Sequence, residues 1–85
     1  MIKKPITIQI ATGLEARPVA VLVQTASQFD SDIYFEIDNK RVNAKSIMGM
    51  MTLGINAGEE VIVYADGKDE QDAIASIEKY LSNQE

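Results

Sequence analysis

Apolar and polar positions alternate at the start of the chain, where Ile6, Ile8 and Ile10 are separated by Thr7 and Gln9. A period of two puts one set of side chains on a buried face and the other in water, which predicts a strand, with Pro5 suited to its start. Thr12-Gly13 breaks that strand, and beyond it the period lengthens. Ala16, Val19, Ala20, Leu22, Val23 and Ala26 fall on one stripe when residues turn by about 100° each, with Arg17, Gln24 and Gln28 opposite. The spacing predicts a helix led in by Leu14-Glu15-Ala16-Arg17-Pro18 and running to about Gln28. Pro18 suits a first turn, where its missing N–H has no helical partner to lose. Val21 lands on the polar side, and an isolated exposed valine needs no special account. Ile33, Phe35 and Ile37 alternate with Tyr34 and Glu36 as a second strand, and Asp38-Asn39 supplies a turn tolerant of left-handed geometry. Lys40-Arg41-Val42-Asn43 then returns as a third strand in a hairpin with the second. Asn56-Ala57-Gly58-Glu59 is turn-rich, and the near-continuous apolar run from Glu60 to Ala65 predicts an interior fourth strand. Asp69 is placed as the N-cap of a last helix, with Glu70 and Asp72 in its first turn and Ala73, Ile74, Ile77 and Leu81 as its buried stripe. Ser82 to Glu85 are expected to fray.

The element order is strand, helix, strand, strand, helix, strand, helix. It predicts an α+β fold, an open-faced β-sandwich in which a four-stranded antiparallel sheet carries three helices on one face. Thr7, Gln9 and Glu36 are left on the face that meets water.

Between the third and fourth strands, a polar run stops at Ser46 and the apolar run Ile47-Met48-Gly49-Met50-Met51 begins. Serine is a preferred N-cap because its hydroxyl accepts a first-turn N–H, so a short helix is predicted here. Met48 and Met51 are three apart and share one face, and methionine is an adaptable contact residue. Lys45 is expected to place a cation beside the hydroxyl. A phosphoryl group on Ser46 would then meet backbone donors and a lysine next to an apolar patch. A bare cap explains the serine equally simply.

Composition narrows the function. With 85 residues, 46% hydrophobic and 25% charged, the chain suits one small domain over residues 1–85. No apolar run approaches the ~18 residues that suggest a bilayer span. Thirteen acidic against eight basic residues leave a net charge of -5, which disfavours direct nucleic-acid or anionic-membrane binding. Cysteine and histidine are absent, so disulfides, thiolate chemistry, a histidine-based triad and a histidyl phosphate cannot be built. No signal-like apolar core follows Lys3-Lys4-Pro5, and a cytoplasmic setting is expected.

The segments Gly13-Leu14-Glu15-Ala16-Arg17-Pro18 and Lys45-Ser46-Ile47-Met48-Gly49, at this spacing, resemble those of the HPr family, the histidine-containing phosphocarrier proteins of the bacterial sugar phosphotransferase system. The resemblance covers essentially the whole chain. Family members open their first helix with Gly-Leu/Ile-His-Ala-Arg-Pro and their short second helix with Lys-Ser-Ile/Leu-Met. It implies a histidine that receives phosphate from enzyme I and passes it to sugar-specific enzymes; here that position is Glu15. It also implies that Ser46 is the regulatory serine, phosphorylated in Gram-positive relatives by HPr kinase/phosphorylase, the product binding catabolite control protein A as corepressor. By the same resemblance Arg17 serves phosphate and partner contact, and Ile47, Met48 and Met51 form a docking patch. Glu15, Arg17 and Lys45 complete the expected partner-binding set.

Loss of the histidine with retention of the serine resembles the Crh branch of the family, which keeps regulation and lacks sugar transport. That branch usually carries glutamine at this position, so Glu15 departs from both patterns. A carboxylate there suits the helix dipole and nearby Arg17; partial mimicry of a phosphorylated histidine and an acyl-phosphate acceptor are the alternatives. Ile47 is open to two readings, docking or packing beneath the helix. The expected function is therefore regulatory and non-enzymatic, needing no cofactor, with a phosphocarrier of altered acceptor site at Glu15 as the alternative. A binding module whose serine is never modified is the plainest third reading. Opening of Ala11-Thr12-Gly13 would let the first strand pair with another copy, giving a strand-swapped homodimer.

Overall fold

The computed structural model describes residues 1–9, 16–54 and 56–82, apart from the side chains of Ala16 and Arg17. Among them the elements are β1 (Ile2–Thr7), α1 (Ala16–Ser27), β2 (Asp32–Ile37), β3 (Lys40–Asn43), α2 (Ile47–Met51), β4 (Glu60–Asp66) and α3 (Glu70–Leu81). The strands form one antiparallel sheet in the order β1-β4-β2-β3. The apolar strand β4 is interior, as its composition predicts. Ile10, the lead-in at Leu14 and Glu15, the Ala11-Thr12-Gly13 hinge and the last three residues lie outside the described residues.

Local chemistry accounts for most boundaries. Asp38 and Asn39 both take positive φ, 49° and 67°, which turns β2 into β3 with a twist matching the strands. β1 is a correction: it starts at Ile2, with Pro5 inside it. Ile8 N–H donates to the Glu59 carbonyl on the β4 side at 2.8 Å, so by two-residue alternation position 5 faces away from β4. β1 is an edge strand, and a proline there removes no ladder hydrogen bond.

One face of the sheet is buried. Ile6, Ile8, Ile33, Phe35, Val61, Val63 and Ala65 pack with Val19, Leu22 and Ala26 of α1, Met50 of α2, and Ala73, Ile74, Ile77 and Leu81 of α3. The opposite face carries Thr7 and Gln9 in the open, while Glu36 is half-buried because it accepts a 2.5 Å hydrogen bond from the Tyr64 hydroxyl. Beside them the Arg41 guanidinium stands 4.5 Å from the Tyr34 ring and 4.6 Å from the Tyr64 ring. Among the described residues no helix is long and apolar enough to cross a membrane.

Asp69 holds the N-cap position of α3, but its carboxylate makes no cap hydrogen bond, contrary to the sequence reading. It accepts instead from Asp30 N–H at 2.9 Å, from Ser31 N–H at 3.0 Å and from the Ser31 hydroxyl. Ser31 is fully buried, so this carboxylate satisfies a polar group that would otherwise be stranded in the core. Glu70 reaches back to Gly67 N–H at 3.1 Å. Gly67 has φ +156°, and a Cβ there would come within 2.7 Å of Ser31 Cα, so the loop closes only with glycine.

The Ser31 hydroxyl, then the Asp30 amide, hold the Asp69 carboxyl below its ordinary range. A carboxyl depressed on folding contributes stability that is present above its unfolded value, about 3.9, and is lost as pH falls through the lower folded value. Asp69→Asn is therefore expected to lower the urea midpoint at neutral pH, with the gap to the native chain closing in acid. Midpoints measured for both proteins across that range check it, and equal values at neutral pH would remove Asp69 from the list of stabilising contacts.

Candidate modification and docking site

The approach to α2 is built by Asn43. Its side-chain Oδ1 accepts Lys45 N–H at 2.8 Å and its carbonyl accepts Ser46 N–H at 3.0 Å, while Ala44 N–H donates to the Ile33 carbonyl at 2.9 Å. The last bond fixes this turn to the buried strand β2. Ser46 then sits in extended backbone, φ −108° and ψ 114°, and its hydroxyl accepts Gly49 N–H at 3.2 Å. The predicted N-cap is present, and the serine is exposed.

Helical geometry sorts the five residues of α2. Met50 is fully buried. Seen down the axis, Ile47 lies about 60°, Met51 about 100° and Met48 about 160° from it. Their exposures follow that order: 49%, 52% and 82%. Met48 and Met51 therefore share the outer face as predicted, and Ile47, open to two readings in the sequence, stands exposed beside Ser46. Val21, 37% exposed, is on α1, the helix that packs against α2. The patch and the serine hydroxyl adjoin through covalent sequence alone, with no rearrangement needed to present both.

Lys45, expected to place a cation beside the hydroxyl, has a tie that the sequence did not signal: its ammonium donates to the Phe29 carbonyl, in the loop after α1, at 2.8 Å. Lys40 does the same at the far end of α2, donating to the Thr52 carbonyl at 3.1 Å. The Thr52 hydroxyl donates to the Gly49 carbonyl at 2.6 Å. Asn43, Lys40 and Met50 are the supporting residues that sequence reasoning passed over. For Asn43 a signal was present, since asparagine favours hydrogen bonding to backbone two residues on. Met50 was detectable as the methionine turned away from Met48. Lys40 left no local trace. Glu15 and the Arg17 side chain lie outside the described residues.

The chemical content of this surface is an accessible hydroxyl at the head of a helix, flanked by an apolar face of one isoleucine and two methionines. Such a surface can take a phosphoryl group and receive an apolar partner.

Comparison with known proteins gives the family. The family described as PTS HPr component phosphorylation site matches residues 2–83. The HPr-like protein Crh of Bacillus subtilis (strain 168) is 44% identical over 84 residues, covering 99% of each chain. The Crh of Halalkalibacterium halodurans is 42% identical, covering 99% of this chain and 100% of that one. Among solved structures, HPr-C-His from Thermoanaerobacter tengcongensis superposes with a TM-score of 0.94 at 49% identity, covering 99% of this chain and 94% of that one. A crystal structure of Bacillus subtilis Crh, described as an intertwined dimer with a swapping domain, gives a TM-score of 0.77 at 46% identity over 95% and 93% of the two chains. With its matched profile, its whole-length relatives and its superposable fold, the chain belongs to the HPr family and is Crh-like within it.

Proposed function

We propose that this chain is a cytoplasmic regulator of carbon catabolite repression, phosphorylated on Ser46 by HPr kinase/phosphorylase and then bound by catabolite control protein A as corepressor, with no part in sugar-transport phosphotransfer. The observation that carries this reading is the pairing of an exposed Ser46 hydroxyl with the exposed Ile47, Met48 and Met51 on one short helix, in a chain that contains no histidine. A phosphoserine carries about −1.5 to −2 charge at neutral pH and strong acceptor oxygens, so phosphorylation gives the apolar patch an anionic neighbour. Ser46 is exposed, so the modification needs no unfolding. DNA contact is left to the partner, in keeping with the net charge of -5.

A second reading is a phosphocarrier with an altered acceptor at Glu15. It is favoured by the 49% identity to an HPr, no lower than the identity to the Crh relatives. Against it stands chemistry: a carboxylate with pKa near about 4.3 is a weak nucleophile, and its acyl phosphate does not match a relay built on phosphoimidazole. Strand exchange through β1 is proposed as the route to a homodimer: a solved Crh is described as an intertwined dimer with a swapping domain, and β1 is an edge strand whose partner among the described strands is β4.

Incubation with HPr kinase/phosphorylase and ATP is expected to modify Ser46 and no other residue. Peptide mass spectrometry placing the phosphate elsewhere, on Thr52 for instance, or full incorporation into Ser46→Ala, overturns the assignment.

Stability and docking separate on α2. Met50→Ala is expected to destabilise the fold by about 2–5 kcal/mol, as for other large-to-small core changes. Met48→Ala should stay within about 0.5 kcal/mol of the native chain in a urea titration while weakening capture of the kinase. Loss of stability in the second variant would move Met48 from the docking face into the fold.

Enzyme I and phosphoenolpyruvate are expected to leave the native chain unlabelled, and Glu15→His is expected to accept label. Label on the native chain would favour the phosphocarrier reading. A folded Glu15→His variant that stays unlabelled would show that the enzyme I docking surface has diverged beyond this residue.

A further inference from the structure

Methionine supplies all the sulfur in this chain, which has four methionines and no cysteine. Met48 and Met51 are exposed on the outer face of α2, whereas Met50 of the same helix is fully buried. Met1 is exposed too, but its amino group lies 3.6 Å from Asp66 and 3.3 Å from Glu70, at the end of β4 and the start of α3. An open thioether is oxidised by peroxides, and the sulfoxide that results is polar and chiral where the thioether was apolar and flexible.

We propose that Met48, with Met51 beside it, is a peroxide-sensitive modification site that converts the outer face of α2 from apolar to polar and so releases a partner docked there. The release step rests on the docking role proposed above. In the chemistry, a sulfur lone pair attacks one oxygen of hydrogen peroxide; the S–O bond forms as the O–O bond breaks. Sulfur gives up two electrons, and the departing oxygen takes up the proton of the transferred one and leaves as water. A methionine sulfoxide reductase with a thiol electron donor removes the oxygen again as water, restoring the thioether.

The position of Met48 makes the step compatible with the fold. The residue is 82% exposed, so a sulfoxide oxygen there has access to water, whereas the same oxygen on the fully buried Met50 would stand in the core. Oxidation at α2 is therefore expected to divide by exposure within one helix: Met48 first, Met51 next, Met50 spared. The partner-facing side would change polarity while the anchor beneath it does not.

The experiment treats the full chain with hydrogen peroxide and follows each methionine by peptide mass spectrometry, with circular dichroism as the check on folding. Met48 sulfoxide is expected to accumulate ahead of Met51, with Met50 intact and the spectrum unchanged, and a reductase with dithiothreitol should reverse it. HPr kinase/phosphorylase should then show a KM raised about tenfold for the oxidised chain, equivalent to about 1.4 kcal/mol, with kcat unaltered. A Met48→Leu/Met51→Leu double variant, compared with its own untreated baseline, should lose the response although Met1 still oxidises. Equal oxidation of Met50 and Met48 in folded protein, or an unchanged KM for chain fully oxidised at Met48, overturns the proposal. An untreated chain that the kinase ignores overturns the docking reading and the release step with it, while the oxidation map still decides whether the site exists.

Discussion

The burial of Met50 is the constraint from which the exposed apolar face of α2 follows. A five-residue helix has too few hydrogen bonds to persist alone, since isolated helices shorter than about 12–15 residues are marginal in water. α2 exists because one of its side chains is in the core with Phe35, Val19 and Leu22, and because its ends are tied. Once that side chain points inward, helical geometry dictates that Met48 points outward and that Ile47 and Met51 lie between. Exposure of three large apolar side chains is thus the consequence of anchoring the fourth, and no separate device is needed to hold the patch open.

The ties at the ends of α2 share a feature. Asn43, Lys40, Lys45 and Thr52 satisfy backbone groups with polar side chains, and each bond joins α2 or its approach to a neighbouring segment or turn. Helix ends leave carbonyls and amides without intrahelical partners, so a very short helix is mostly ends. Asp69 does comparable work between the loop after α1 and the start of α3, using a carboxylate where α2 uses ammonium groups. The sheet face without helices has its own cover, in which Arg41 lies over Tyr34 and Tyr64, a contact of about 0.5–1 kcal/mol at an exposed site.

Periodicity made most of the fold legible in the sequence. Alternation at Ile33, Phe35 and Ile37 and the stripe Ala73, Ile74, Ile77, Leu81 identify their elements because burial on one side is a local, repeating demand. The Asp38-Asn39 turn was legible for the same reason, its backbone geometry being encoded by two adjacent residues. What escaped was every choice among partners distant in sequence. Asp69 is a good cap by type, yet in the fold its carboxylate accepts the amides of Asp30 and Ser31 and makes no cap bond to its own helix. Lys45 next to Ser46 reads as an electrostatic neighbour, but its long side chain reaches the Phe29 carbonyl. The start of β1 was hidden by Pro5, whose cost depends on whether the strand is an edge, and strand order is a global property. At the site, Ser46 and the outward methionines were legible from adjacency, whereas the inward role of Met50 depended on which side of α2 the core would occupy.

The described supports of α2 are drawn from several elements of the fold. Its hydrogen bonds are made to Asn43, to the Thr52 carbonyl through Lys40, and to the Phe29 carbonyl through Lys45, and its apolar anchor is Met50. These groups lie on β3, on α2 itself with its flanking turns, and at the loop after α1. These hydrogen-bonding groups and Met50 come from residues 29–52, and Met50 shares the core with Val19 and Leu22 of α1. At position 15 a carboxylate stands in place of the imidazole of the HPr pattern, which changes the charge and nucleophilicity that the sequence supplies there. The described groups that shape Ser46 and its methionine face are thus present in a chain that carries no histidine.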